Sequence, residues 1–170
     1  MNFMWLRKVT GALALTITII SCSDDSDCSK IVSQDILDLV NEAQLAIDNA
    51  IIDDYILANS ITDVQEVNGI KYVITEEGSG LTPCLENTVS VIYKGKLMSN
   101  GNTFDSTLSP RDFPLNQLIL GWQLSFPTFT RSTKATIFIP SGYGYGPTGF
   151  PPQIPANANL IFDIELVNVR

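Results

Sequence analysis

Six aromatic side chains stand out in the second half of the sequence: Tyr93, Phe104, Trp122, Tyr145, Phe150 and Phe162. The aliphatic residues Leu118, Ile119 and Ile154 are interspersed with them. Such residues break no covalent bonds; grouped together they offer a dry, shaped cavity. The groups that usually do break bonds are scarce, because the 170-residue chain has no histidine. That excludes a Ser-His-Asp triad, a Cys-His dyad, His-ligated zinc and an imidazole base. The formal charge of -8, from 10 Lys+Arg against 18 Asp+Glu, argues against nucleic acid as a partner.

The elements that must position these residues follow from patterning. With 45% hydrophobic and 16% charged residues, the chain has apolar content for one domain plus extensions. Its charge is uneven: Asp24 to Glu86 holds 14 acidic and 2 basic residues, whereas Asn87 to Arg170 holds 4 and 6. From Ser29 to Ser60, Gly and Pro are absent. There Ile36, Leu37, Leu39, Val40, Ala43, Ile47, Ala50 and Ile51 recur at helical spacing and predict one or two amphipathic helices, with Ser33 as N-cap and an end near Asn59. This apolar stripe must bury against the downstream domain or against a second copy of the chain.

Beyond Val67 the period becomes that of strands. Ile70–Thr75, Thr88–Leu97, Lys134–Ile139 and Leu160–Val169 alternate. Val89, Val91, Tyr93 and Leu97 share one face, as do Leu160, Phe162, Ile164 and Leu166. One wet and one dry face per strand predicts an antiparallel sheet packed on one side. Only Leu118–Phe126 suits a short helix, stopped by Pro127. The fold class is therefore α+β: an antiparallel β-sheet around one short helix, preceded by an α-helical extension.

The N-terminus reads as an address. Arg7 and Lys8 precede an apolar run from Val9 to Ile20, twelve residues that rise only ~18 Å against a ~30 Å hydrocarbon core. This is a secretory signal. Ile19-Ile20-Ser21-Cys22 resembles the lipobox of bacterial lipoproteins, in which the Cys thiol is lipidated and becomes the mature N-terminus. An uncleaved anchor, or plain secretion with a chance cysteine, is the alternative. Ser23 fits outer-membrane sorting in that class, and the Asp24, Asp25 and Asp27 cluster resembles a surface-export signal or a solvated tether. The resemblance implies an outer-membrane lipoprotein of a gram-negative bacterium, facing the periplasm or the surface and held to the membrane through Cys22. Cys28 and Cys84 remain as an even pair in an oxidising compartment, bridged or two buried free thiols.

The blocks V-I-Y-K-G-K-L, G-N-T-F-D-S, L-I-L-G-W, I-P-S-G-Y-G-Y-G and I-P-A-N-A-N-L-I-F-D-I-E-L follow one another in order. Together they resemble the FKBP family of peptidyl-prolyl cis-trans isomerases over 106 residues, Gln65 to Arg170. The implied organisation is a signal peptide over residues 1–21, an acidic tether with helical extension over 22–64, and the isomerase domain over 65–170. In the family's pocket Trp122 is the floor, and Tyr93, Phe104, Leu118, Ile119, Ile154 and Phe162 are walls. Asp105 accepts a hydrogen bond near Tyr93, Phe150 sits at the rim, and the Ile119 N–H and Tyr145 hydroxyl donate to substrate carbonyls.

The resemblance implies proline-containing polypeptides as substrates, with no cofactor and no metal. It extends to macrolides such as tacrolimus as ligands, and to a homodimer through the N-terminal helices, as in some relatives with helical extensions. Assistance to the folding of exported proteins is the implied role.

Physics agrees with these residue types. An X-Pro bond turns over a barrier of ~18–20 kcal/mol because amide resonance resists twisting. No bond breaks, so no nucleophile is needed. A dry pocket removes water that favours the planar, more dipolar amide and fits the twisted one. A gain of ~5 kcal/mol gives a factor of several thousand in rate.

Four departures from the family pattern bear on affinity and rate. Arg111 replaces a wall aromatic, Gln123-Leu124-Ser125 replaces a Glu-Gly loop, and Ser132 replaces a turn glycine. Leu108, Ser109 and Pro110 stand where a basic partner of Asp105 is usual. They keep open a second reading, a peptide-binding module with little or no turnover. A third, a surface glycan binder, requires Trp122 and Tyr145 on an open flat face.

Overall fold

The structure, a computed structural model, describes residues 28–170; the leader, Cys22 and the Asp24–Asp27 cluster lie outside the described residues. Seven strands form: β1 (Gln65–Val67), β2 (Ile70–Glu76), β3 (Thr88–Leu97), β4 (Thr103–Ser106), β5 (Arg111–Pro114), β6 (Lys134–Ile139) and β7 (Leu160–Val169). They make one antiparallel sheet in the order β1-β2-β6-β7-β3-β4. β5 follows β4 along the same edge of β3. The ten-residue strand β3 is the spine, pairing with β7 from Val89↔Val169 to Leu97↔Leu160.

Three helices accompany the sheet: α1 (Gln34–Leu37), α2 (Glu42–Ala58) and α3 (Leu120–Ser125). α3 supplies Trp122 and Leu124 to the main core, where they meet Val89, Val91, Ile137, Ile139, Leu160 and Leu166. It comes close because residue 121 is glycine; a Cβ there would run into the Ile139 side chain. Pro127 lies in a short 3-10 turn, Phe126–Thr128, that ends the helix. Phe126 opens this turn and Phe129 follows it, both fully buried.

The extension departs from expectation in two respects. Ser33 precedes α1, but its side chain makes no capping bond. Asn41 caps instead, accepting from the Gln44 N–H at 3.0 Å, so the one or two helices expected here form as two, the single turn α1 followed by α2. The expected apolar stripe also faces the wrong way: Ile47 and Ile51 are exposed, and Ile52, outside that stripe, is fully buried. Ile52 packs with Met98, Phe138 and Ile161 in a second cluster on the sheet's other face. The sheet is therefore not wet on one side throughout, because α2 covers the Phe138 and Ile161 patch. None of the described helices is long and apolar enough to cross a membrane.

The segment before α1 is tied to the domain. Cys28 and Cys84 are joined by a disulfide with Cα atoms 5.1 Å apart, inside the range a bridge requires. The Leu85 N–H donates to the Ser29 carbonyl at 2.7 Å, and Val32 is buried in the main core.

Candidate active site

β3 runs beneath the site and turns Tyr93 toward it. The Tyr93 ring meets Trp122 edge-to-face at 5.5 Å and Phe162 of β7 at 6.4 Å. Trp122 in turn meets Phe162 edge-to-face at 5.3 Å and stacks on Phe126 at 4.7 Å, which fixes the floor. Phe104 of β4 closes one wall, edge-to-face with Phe162 at 5.5 Å. The walls draw together at a glycine: a Cβ on Gly95 would stand 2.6 Å from Phe104 and 2.8 Å from Phe162. The result is a cavity of about 170 Å³, room for a small ring.

Tyr93, Phe104, Asp105, Leu118, Ile119, Trp122, Tyr145 and Phe162 all line this cavity. Phe150 and Ile154 do not. They line an adjoining hollow that shares Phe104, Asp105 and Tyr145 with the first, so they sit beyond Tyr145. Phe113 of β5 also lines the cavity, and the sequence reading missed it as a wall. Its signal was the alternation of Arg111 and Phe113, which puts both on one face of β5. The Arg111 guanidinium lies over the Phe113 ring at 5.8 Å. The wall thus stays aromatic with a cation at its rim.

Polar groups in the site are few and their states are set by the fold. The Tyr93 hydroxyl donates to Asp105 Oδ2 at 2.6 Å, and the Ser106 N–H donates to Asp105 Oδ1 at 2.8 Å. Burial, reinforced by the Asp105 hydrogen bond and charge, pushes the Tyr93 hydroxyl up to about 12. Tyr145 is raised as well, by burial first and by the charge of Asp105 second. Both phenols therefore stay protonated and able to donate at any physiological pH.

Gln123, in the altered loop, donates through Nε2 to the Leu118 carbonyl at 2.7 Å and pins the segment before α3. Ile119 is the first residue outside that helix. Among the described residues, no carbonyl accepts from its N–H. Trp122 is only 4% exposed, at the bottom of a cavity, which removes the glycan-binding reading.

A seven-stranded antiparallel sheet around a short helix, with an aromatic cavity between them, also describes known proteins. The sequence profile of FKBP-type peptidyl-prolyl cis-trans isomerases matches residues 81–167. The chain belongs to this family. It is accordingly an enzyme, an FKBP-type isomerase of X-Pro bonds. It is 38% identical over 109 residues to FK506-binding protein 1 of Gibberella zeae, covering 59% of this chain and 98% of that one. It is 36% identical over 106 residues to the isomerase Mip of Coxiella burnetii, covering 61% of this chain and 46% of that one. So the FKBP-type chain spans a whole fungal relative but under half of the bacterial Mip protein. Among solved structures, FkpA of Escherichia coli superposes with a TM-score of 0.65 at 32% identity, covering 76% of this chain and 62% of that one. A peptidyl-prolyl isomerase of Pseudomonas syringae pv. tomato gives 0.64 at 29% identity, over 75% and 94% of the two chains.

Proposed function

We propose that this FKBP-type isomerase works outside the inner membrane as a lipoprotein anchored through Cys22, turning X-Pro bonds of exported polypeptides as they fold. The proline ring enters the cavity over Trp122. The substrate carbonyls around that ring, losing their water, meet the Tyr145 hydroxyl and the Ile119 N–H as the amide twists out of plane. Tyr93 holds Asp105, so this carboxylate lines the cavity in a fixed orientation. Stabilisation of the twisted amide over either planar isomer is the source of rate.

The observation that carries the catalytic reading is the convergence of Tyr93, Phe104, Trp122 and Phe162 on one cavity with two protonated phenols. What supports export is the leader before Cys22 and the Cys28–Cys84 disulfide, a bond of oxidising compartments. An isomerisation assay on a proline tetrapeptide, with Trp122→Ala and Asp105→Ala beside the parent chain, tests the catalysis. Retained peptide binding without acceleration in the parent would favour the binding module. Radiolabelled fatty acid tests the anchor: incorporation in cells that vanishes with Cys22→Ala supports it, and no incorporation in the parent refutes it.

A further inference from the structure

The Ser141–Gly146 turn, which carries Tyr145 to the cavity, is held from outside the isomerase domain. Asp48 of α2 has no exposed surface, and its Oδ2 accepts from the Ser141 hydroxyl at 2.6 Å and the Gly142 N–H at 3.3 Å. Gln44 donates to its other oxygen at 2.9 Å. The Asp48 carbonyl accepts from Asn159 Nδ2 at 3.3 Å, while Asn159 Oδ1 accepts from the Ser141 N–H at 2.9 Å. No Lys or Arg among the described residues pairs with this carboxylate. Burying a polar acid side chain is costly compared with an apolar contact, and Ile52 one turn away already supplies such a contact. What the hydrogen-bonded acid adds is geometry.

That geometry reaches Tyr145 through the backbone. The Ser141 carbonyl accepts from both the Gly144 N–H at 3.0 Å and the Gly146 N–H at 2.8 Å, so Tyr145 lies between two residues bonded to Ser141. The extension and the turn are also shaped to each other. A Cβ on Gly142 would stand 2.9 Å from Val40 and 3.1 Å from Leu45.

We propose that Asp48 is a positioning residue for the isomerase: from the extension it fixes Ser141, and through the Ser141–Gly146 turn it sets the Tyr145 hydroxyl against the substrate carbonyl. This rests on the reading of the cavity above, in which Tyr145 donates to substrate. The extension is then part of the catalytic apparatus and not a spacer.

A double-mutant cycle in the full chain tests it, with kcat/KM on a proline tetrapeptide as the readout. Tyr145→Phe lowers kcat/KM by roughly tenfold, the loss of one aligned hydrogen bond. Asp48→Ala lowers it by a similar factor in the parent, but by less than about twofold once Tyr145 is Phe, since the group it positions is gone. Ser141→Ala follows the same pattern from the other side of the bond, and serves if Asp48→Ala does not fold. Asp48→Asn, which keeps an acceptor, recovers most of the loss.

Equal losses from Asp48→Ala and Ser141→Ala in both backgrounds, or no loss in the parent, overturn the proposal. Trp122→Ala separates this from the cavity reading: full activity in that variant sinks the cavity itself, whatever the cycle gives.

Discussion

Tyr93 and Asp105 reach each other across two paired strands, the β3 hydroxyl donating to the β4 carboxylate at 2.6 Å. The bond sits at the cavity edge and ties the wall that carries Phe104 to the spine of the sheet. It also sets the chemistry of Tyr93, because a buried phenol beside a carboxylate resists losing its proton.

The pH dependence follows from that. A phenol raised from its ordinary value near 10 to about 12 contributes stability that is fully present below pH 10 and is lost as pH rises through 12. Isomerase activity is therefore flat from neutral pH to about pH 10 as far as Tyr93 is concerned. A tyrosinate absorbance titration should show Tyr93 among the late-titrating phenols, and Asp105→Asn should lower its midpoint while the larger effect of burial remains. Arg111 opposes the shift, so Arg111→Ala moves the same phenol further up.

Gly95→Ala places a methyl group 2.6 Å from Phe104 and 2.8 Å from Phe162, with β3 fixed on both edges. The rings must move into the cavity. The expected outcome is a stability loss of about 1–3 kcal/mol by denaturant melt and a more than tenfold fall in kcat/KM carried mainly by KM. Unchanged KM in a folded variant would show that the rings can yield elsewhere.

Ser132 holds φ +69° in the turn before β6, with its N–H donated to the Leu166 carbonyl at 2.6 Å. A side chain in the left-handed region is strained, and a glycine is not. Ser132→Gly should raise stability by roughly 0.5–1 kcal/mol without touching activity. A lower melting temperature would contradict this.

The Cys28–Cys84 bridge closes a loop over a separation of 56 residues, which limits the unfolded chain far more than the folded one. Reduction, or Cys28→Ser, should cost up to about 4 kcal/mol on loop-entropy grounds. A denaturant melt with and without reductant measures it. The Ser29 carbonyl and N–H are also bonded to the Leu85 N–H and the Glu86 carboxylate, so reduction should loosen the segment without a change of topology.

Why some of this was legible in the sequence and some was not has a physical basis. β3, β6 and β7 alternate over six to ten residues and so announce both their faces. β4 and β5 have four residues each, too short for a period, and are strands only because β3 offers an edge. Most of the cavity was readable because its aromatics arrive in ordered blocks. Phe113 escaped because Arg111 drew attention to the loss of a wall aromatic, although the next residue on that face restores it. Asp48 was not legible at all. An acid in an apolar helix reads as solvent-facing, and only the folded turn at Ser141 and Gly142 reveals otherwise.

The burial of α2 shows the same limit and can be tested. Apolar residues surround this helix, so periodicity alone does not choose a face; the patch left by Phe138 and Ile161 on the sheet does. Ile51 and Ile52 are neighbours of identical chemistry, one 48% exposed and the other fully buried. Ile52→Ala opens a hole among Met98, Phe138 and Ile161 and should cost about 2–5 kcal/mol. Ile51→Ala should cost less than about 1 kcal/mol. Melts of the two variants side by side decide the matter: equal losses would mean that α2 sits on another face, and the Asp48 anchor would then have no partner.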